Sequence, residues 1–399
     1  MTHPPNDHRD AGGGAVRWHS ASARFDDLRA GMAWEFPRGT HEVLATRPEH
    51  VAPVLEEVDR ATASGSWAFG FVSYEAVTGL DPKLAVHQPV DGLPLAWFGI
   101  CPEPTIVPVV RPPAPATFHS AEWGAEWGPD VHRDRVQAVQ AQIAAGETYQ
   151  TNLTTRLTGE VKGDLPAFYS ALALGQKGSY NAYLDQGRFV VASASPELFF
   201  EIVDDHVRMR PMKGTARRGP TPAEDARIVA GLRSSAKERA ENVMIVDLVR
   251  NDLARIATTG SVRVPHLCRA EQYETVHQLT SDVTAELRPD IGLTDVFRAL
   301  FPCGSVTGAP KRRTMEIIRA LESGPRGVYC GAVGMVAPPG GPFRARFNVA
   351  IRTVLIDRDT GTATYGTGGG ITWDSEPAAE YDELRSKTEV LMRCLRSGN

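Results

Sequence analysis

Apolar residues recur at two spacings along this chain, and the switches between them map its elements. Pro48 to Ala63 carries apolar positions at helical spacing, while Trp67 to Tyr74 is aromatic and strand-like. Short strands around one helix are expected from Val16 to about Val110, where the proline-rich stretch Arg111 to Thr117 breaks the pattern and reads as a linker. Beyond it, Asp130 is placed to cap a helix that buries Val136, Val139 and Ile143 and stops at Gly146. Thr148 to Leu157 and Gly187 to Val203 read as strands, Val207 to Met209 continues the run, and a helix signal starts at Thr221. No Gly or Pro interrupts Ser235 to Thr258, which predicts a long helix. Helices over Lys311 to Glu322 and Pro377 to about Leu395 flank strands at Val328 to Val336 and Arg344 to Ile356. Strands bunch together instead of alternating strictly with helices. The expected fold class is α+β with antiparallel sheets, not a doubly wound sheet.

Composition narrows the class further. The chain has 399 residues, 42% hydrophobic and 23% charged, with a net charge of −5, which disfavours nucleic acid as a partner. No apolar run is long enough for a membrane helix, and Met1 to Gly14 lacks the apolar segment of a signal peptide. A cytoplasmic protein is expected. The anticipated organisation is a disordered tail over 1–15, a small N-terminal α/β region over 16–117, and a catalytic domain over 118–399. Five widely spaced cysteines fit reduced thiols better than disulfides or a zinc site.

The candidate chemistry centres on Arg210 to Gly219, with Lys213 between a proline-fixed and a glycine-freed position. This punctuation predicts a tight turn off a strand. Arg210, Arg217 and Arg218 crowd the lysine, which favours the neutral, nucleophilic amine. A surface lysine in a basic turn is the plain alternative. In the long helix, Glu238, Glu241, Ile245, Leu248 and Asp252 share one face; in the last helix, Glu380, Glu383 and Lys387 flank an apolar stripe. Two helices with carboxylates at a core margin suit a hard divalent cation such as magnesium, or else a solvated acidic face. Gly366 to Gly370 is expected as a glycine-rich turn presenting amides to an anion, although it does not fit a dinucleotide fingerprint. Gly304 to Lys311 likewise misses P-loop spacing. Arg352, a charge within an apolar strand pattern, needs an anionic partner.

Seven ordered blocks carry a resemblance. They are Gly146 to Leu153, Ser195-Pro-Glu-Leu-Phe-Phe200, Pro211-Met-Lys-Gly-Thr215, Glu238 to Asn242 with Asp247 to Leu253, Phe301 to Lys311, Phe347 to Arg352, and Gly368 to Ile371 followed by Glu380 to Glu383. In this order they resemble the chorismate-utilising enzymes over roughly Asp130 to Leu395. That family includes anthranilate, isochorismate, salicylate and aminodeoxychorismate synthases. The resemblance implies a large sandwich of two antiparallel sheets with helices outside and chorismate bound within. Isochorismate and salicylate synthases have a lysine base where this chain has Gln150, and anthranilate synthases have alanine where it has Lys213. A lysine there marks the branch that aminates chorismate at C4, giving a precursor of p-aminobenzoate and folate.

Carried over residue by residue, the resemblance makes Lys213 the nucleophile at C2 and Glu197 the general acid. Glu241 and Glu383 become magnesium ligands, with Glu238 and Glu380 beside them. Arg352, Lys387, Gly368, Gly369, Gly370, Thr307, Gly308 and His277 are the expected substrate contacts. Departures from the family pattern include Met212, Ala216, Cys303 and Trp373. No cysteine sits in a glutaminase Gly-x-Cys-x-Gly elbow, so ammonia is expected from free solution or from a separate glutamine amidotransferase subunit. Anthranilate synthesis, a non-catalytic partner subunit and a pyridoxal-phosphate lysine stand as alternatives.

Overall fold

The computed structural model describes residues 22–37, 41–273 and 276–398. The tail expected over residues 1–15 lies outside the described residues. In the first third of the chain the elements are β1 (Ser22–Asp27), β2 (Met32–Phe36), β3 (His41–Ala45), α1 (Val51–Ala63), β4 (Trp67–Val72), β5 (Ala96–Cys101), β6 (Thr105–Pro108) and β7 (Phe118–Ala125). Next come α2 (Pro129–Ala144), β8 (Gln150–Gly163), α3 (Leu165–Gln176), β9 (Tyr180–Asp185), β10 (Phe189–Ser195), β11 (Leu198–Val203), β12 (His206–Arg210) and β13 (Met212–Arg217). They are followed by α4 (Pro222–Ser234), α5 (Ala236–Ala254), β14 (Arg263–Gln272), β15 (Val276–Glu286), α6 (Leu293–Leu300) and β16 (Gly308–Ala309). The last are α7 (Lys311–Leu321), β17 (Ala332–Val336), β18 (Ala345–Val349), β19 (Thr353–Asp357), β20 (Thr362–Ile371) and α8 (Pro377–Gly398).

Two antiparallel sheets result, as the strand bunching predicts. The first runs β16-β8-β20-β19-β10-β9-β1-β2-β6, with β7 on β8. The second runs β13-β15-β12-β11-β18-β17-β4-β5-β3, with β14 on β15. Strand β4 shows how they stack: Trp67, Phe69 and Phe71 join a cluster with Phe25, Trp34 and Leu184 of the first sheet. The alternate residues Ala68 and Val72 pack instead with Val54 and Val58 of α1 and Ile245 of α5. Helices α3 and α8 cover the outer face of the first sheet through Phe168, Leu172, Val390 and Leu391. The order of layers is helix, sheet, sheet, helix.

Several local expectations are corrected. Strands β1, β2 and β6 extend the first sheet and β3, β4 and β5 the second, so the proline-rich stretch connects parts of shared sheets. Gly128, not Asp130, is the N-cap of α2. The strand expected over Arg344 to Ile356 breaks into β18 and β19, because the chain crosses there from the second sheet to the first. Another crossing, running in the opposite direction, joins β10 to β11 through Pro196 and Glu197. All five cysteines are buried thiols outside any disulfide. Among the described residues no helix is long and apolar enough to cross a membrane.

Candidate active site

Lys213 is held by a bulged strand and not by the expected tight turn. Both β12 and β13 pair with β15, and Pro211 between them lends its carbonyl to Ser281 N at 3.1 Å. Proline has no N–H, so the ladder lapses at that point. The register then slips between Lys213 and Thr215, where Gly214 takes a φ of +83°. A side chain at Gly214 would press on the Glu238 carboxylate. The bulge turns the Lys213 amine into a cavity whose walls include Glu197, Glu238, Glu241, Arg352, Gly370, Glu380, Glu383 and Lys387.

Burial shifts the proton affinity of the two central groups in opposite directions. It depresses the Lys213 pKa, aided by the charge of Lys387 and opposed by Glu241, Glu383 and Glu197. The neighbouring arginines act elsewhere: Arg210 pairs with Glu271 and Asp282, Arg218 with Asp225, and Arg217 is exposed. The expected direction holds, but its cause is desolvation. Glu197, at the crossing from β10 to β11, is only 3% exposed. Burial pushes its carboxyl up to about 7, against the Ser305 hydrogen bond and the charges of Lys213 and Lys387. The Ser305 hydroxyl donates to Glu197 Oε1 at 2.7 Å. An acid with raised proton affinity and an amine with lowered proton affinity thus face the same space.

Helices α5 and α8 bring four glutamates to the rim of this space. Burial raises Glu238, Glu241 and Glu380, and neighbouring carboxylates add to each rise. Glu383 is instead lowered by Lys387, whose Nζ lies 2.8 Å from its Oε1. Asp252, expected on the same face of α5, pairs with Lys311 at 2.8 Å. Among the described residues no three His, Cys, Asp or Glu side chains converge as a metal cluster. Magnesium commonly takes only one or two protein carboxylates and fills its shell with water and substrate oxygens. Carboxylates gathered on one rim, three of them raised by a neighbouring carboxylate, fit that donor set.

The rest of the lining adds cationic groups and glycines. Arg352 sits at the second sheet crossing with a φ of +51°, buried, its guanidinium donating to Gln176 Oε1. No ion pair joins it to an acid among the described residues. Lys387 donates to the Gly368 carbonyl at 2.7 Å. Gly366 to Gly370 form part of strand β20, paired residue for residue with β8, and not a turn. They are small because of what stands over them. A side chain at Gly366 would enter the Tyr329 ring, one at Gly369 would face Glu380 and Lys387, and one at Gly370 would meet Lys213 and Gln150.

Three expected contacts lie elsewhere. Thr307 is fully buried and donates its hydroxyl to the Cys303 and Gly304 carbonyls. Gly308 pairs with Thr151 in the sheet, and His277 bonds Asp225 at 2.8 Å. None of the three lines the cavity. Asn152, Ser305 and Tyr329 line it without having been singled out. Ser305 lies within the block containing Thr307 and Gly308, and Asn152 alternates with Gln150 along β8, so strand period alone offered a hint.

Residues 14–393 match the family model described as chorismate binding enzyme. The chain is similar to "Aminodeoxychorismate synthase" of Streptomyces griseus, 46% identical over 268 residues, covering 67% of this chain and 36% of that protein. It is also similar to "Aminodeoxychorismate synthase component 1" of Klebsiella aerogenes, 38% identical over 286 residues, 71% of this chain and 62% of that one. The chain therefore spans less than two thirds of the length of either relative. The crystal structure of anthranilate synthase component I from Streptococcus pneumoniae TIGR4 superposes with a TM-score of 0.76 at 23% identity, covering 97% of this chain and 95% of that chain. At that identity the likeness speaks for the fold.

Proposed function

The chain belongs to the chorismate binding enzyme family, and from that premise we propose that it aminates chorismate at C4 to 4-amino-4-deoxychorismate. The observation that carries the reading is the pairing of Lys213 and Glu197 across one cavity, with proton affinities displaced in opposite directions. The neutral Lys213 amine forms a bond to C2. The displaced electron pair moves through the ring double bonds and breaks the C4–O bond, and the hydroxyl leaves as water with the Glu197 proton. Ammonia then attacks C4, the pair returns toward C2, and Lys213 departs as a neutral amine. The new C4 ammonium gives its extra proton to Glu197.

Arg352 and Lys387 present positive charge to the substrate carboxylates. Glu241 and Glu383, with Glu238 and Glu380 beside them, are the residues that would hold magnesium. When bound, the ion neutralises the ring carboxylate. Ammonia reaches the chain from solution or from a glutamine amidotransferase partner.

The test is the mass of the product formed from chorismate, ammonium and magnesium, with the intact protein weighed after chorismate alone. A Lys213 adduct and an aminodeoxychorismate product are expected. Anthranilate as the sole product would overturn the assignment. With Lys213→Ala the adduct should vanish, and residual amination should shift toward C2.

A further inference from the structure

Gln150, the first residue of β8, is fully buried, yet neither its carboxamide oxygen nor its nitrogen has a hydrogen-bond partner. It is the one side chain among the described residues with both polar ends left so. Backbone contacts fix its position: its carbonyl accepts from the Thr148 hydroxyl at 2.9 Å, and it pairs with Ala309 in the sheet. A buried, unanswered carboxamide is unfavourable, so a fold keeps one where a partner arrives during function. Geometry names that partner. The Gln150 Nε2 end and the Lys213 Nζ both reach into the volume that a side chain at Gly370 would fill, and turning the carboxamide over puts its oxygen there. The missing side chain is what lets them approach.

We propose that Gln150 is a positioning residue for the lysine, resting on the reading of Lys213 as nucleophile. A carboxamide presents either end within the same outline. With its oxygen toward the amine, Gln150 accepts one N–H of neutral Lys213 and restrains rotation about the terminal C–N bond. The lone pair is then left facing the substrate. After addition, the same oxygen accepts from the cationic nitrogen of the adduct. No bond beyond the hydrogen bond is made or broken by Gln150.

The experiment is single-turnover adduct formation with chorismate and magnesium, without ammonia, followed by rapid-quench intact mass. Gln150→Met keeps the bulk and removes the hydrogen bond. Adduct formation is expected to slow at least about tenfold, a loss of the size of one hydrogen bond. The dissociation constant for chorismate should change less than about twofold, and the melting temperature should not fall, since an unanswered amide has been removed. Gln150→Leu carries the same expectation should the methionine variant not fold. Adduct formation at the wild-type rate would overturn the positioning role. So would a joint loss of stability and chorismate affinity, the signature of a structural part. Absence of any adduct in the wild type would instead reject the nucleophile reading itself, and the two failures are told apart.

Discussion

Glu197 shows how one side chain ties stability to chemistry. Burial raises its carboxyl, and likewise that of Glu75, from 4.5 to about 7. The folded chain therefore holds more protons than the unfolded chain between those values, and stability falls as pH rises through that window. Each group accounts for at most about 3 kcal/mol of that fall. Glu197→Gln removes its share, so denaturant unfolding across pH 4.5 to 7 should give a flatter profile. The same variant should slow adduct formation by about 10²–10⁴-fold, the usual worth of a general acid. In the wild type, adduct formation should decline above pH 7 as Glu197 loses its proton. Lys213 is legible from the proline and glycine around it and Glu197 only through the resemblance of its block, and the fold sets both on one cavity. Ser305, which holds Glu197, is not legible, because only folding brings it there from another block.

Elements aim these side chains, and their sequence signals differ in reach. The long helix α5 was legible from its uninterrupted run, and its Ser235 cap accepts from Glu238 N as a local rule dictates. The glycines of β20 were misread as a turn because their smallness answers to Tyr329 and Lys213, which no local pattern reveals. The Gly214 bulge invites a direct measurement. Gly214→Ala imposes a positive φ on a side-chain-bearing residue and crowds Glu238, so a stability loss of about 1–3 kcal/mol is expected by denaturant unfolding. Turnover should fall with it, because the bulge aims Lys213. On α5 and α8, Glu241→Gln and Glu383→Gln should each raise the magnesium concentration needed for half-maximal turnover while the circular dichroism of the helices stays unchanged. Full activity of either variant, or of wild type in excess chelator, would reject the carboxylates as ligands.

At the scale of the molecule, the site exists because two sheets exchange strands. The crossings β10 to β11 and β18 to β19 run side by side, with Val349 N donating to the Glu197 carbonyl at 3.1 Å and Ala194 N to the Arg352 carbonyl at 3.1 Å. The acid and the arginine are thus held at fixed separation where the two crossings change sheet. Sequence pattern supplied the antiparallel class, but a boundary at residue 117 treated as separate what the sheets join. That joining has a practical outcome. Without residues 1–117, β9 would lose β1 and β17 would lose β4, baring two apolar edges at once. Residues 118–399 made alone should therefore precipitate, while co-production with the 1–117 fragment should restore soluble, chorismate-binding protein. The chain would then behave as two halves of a reporter, reassembling only when each offers the other a strand on both sides.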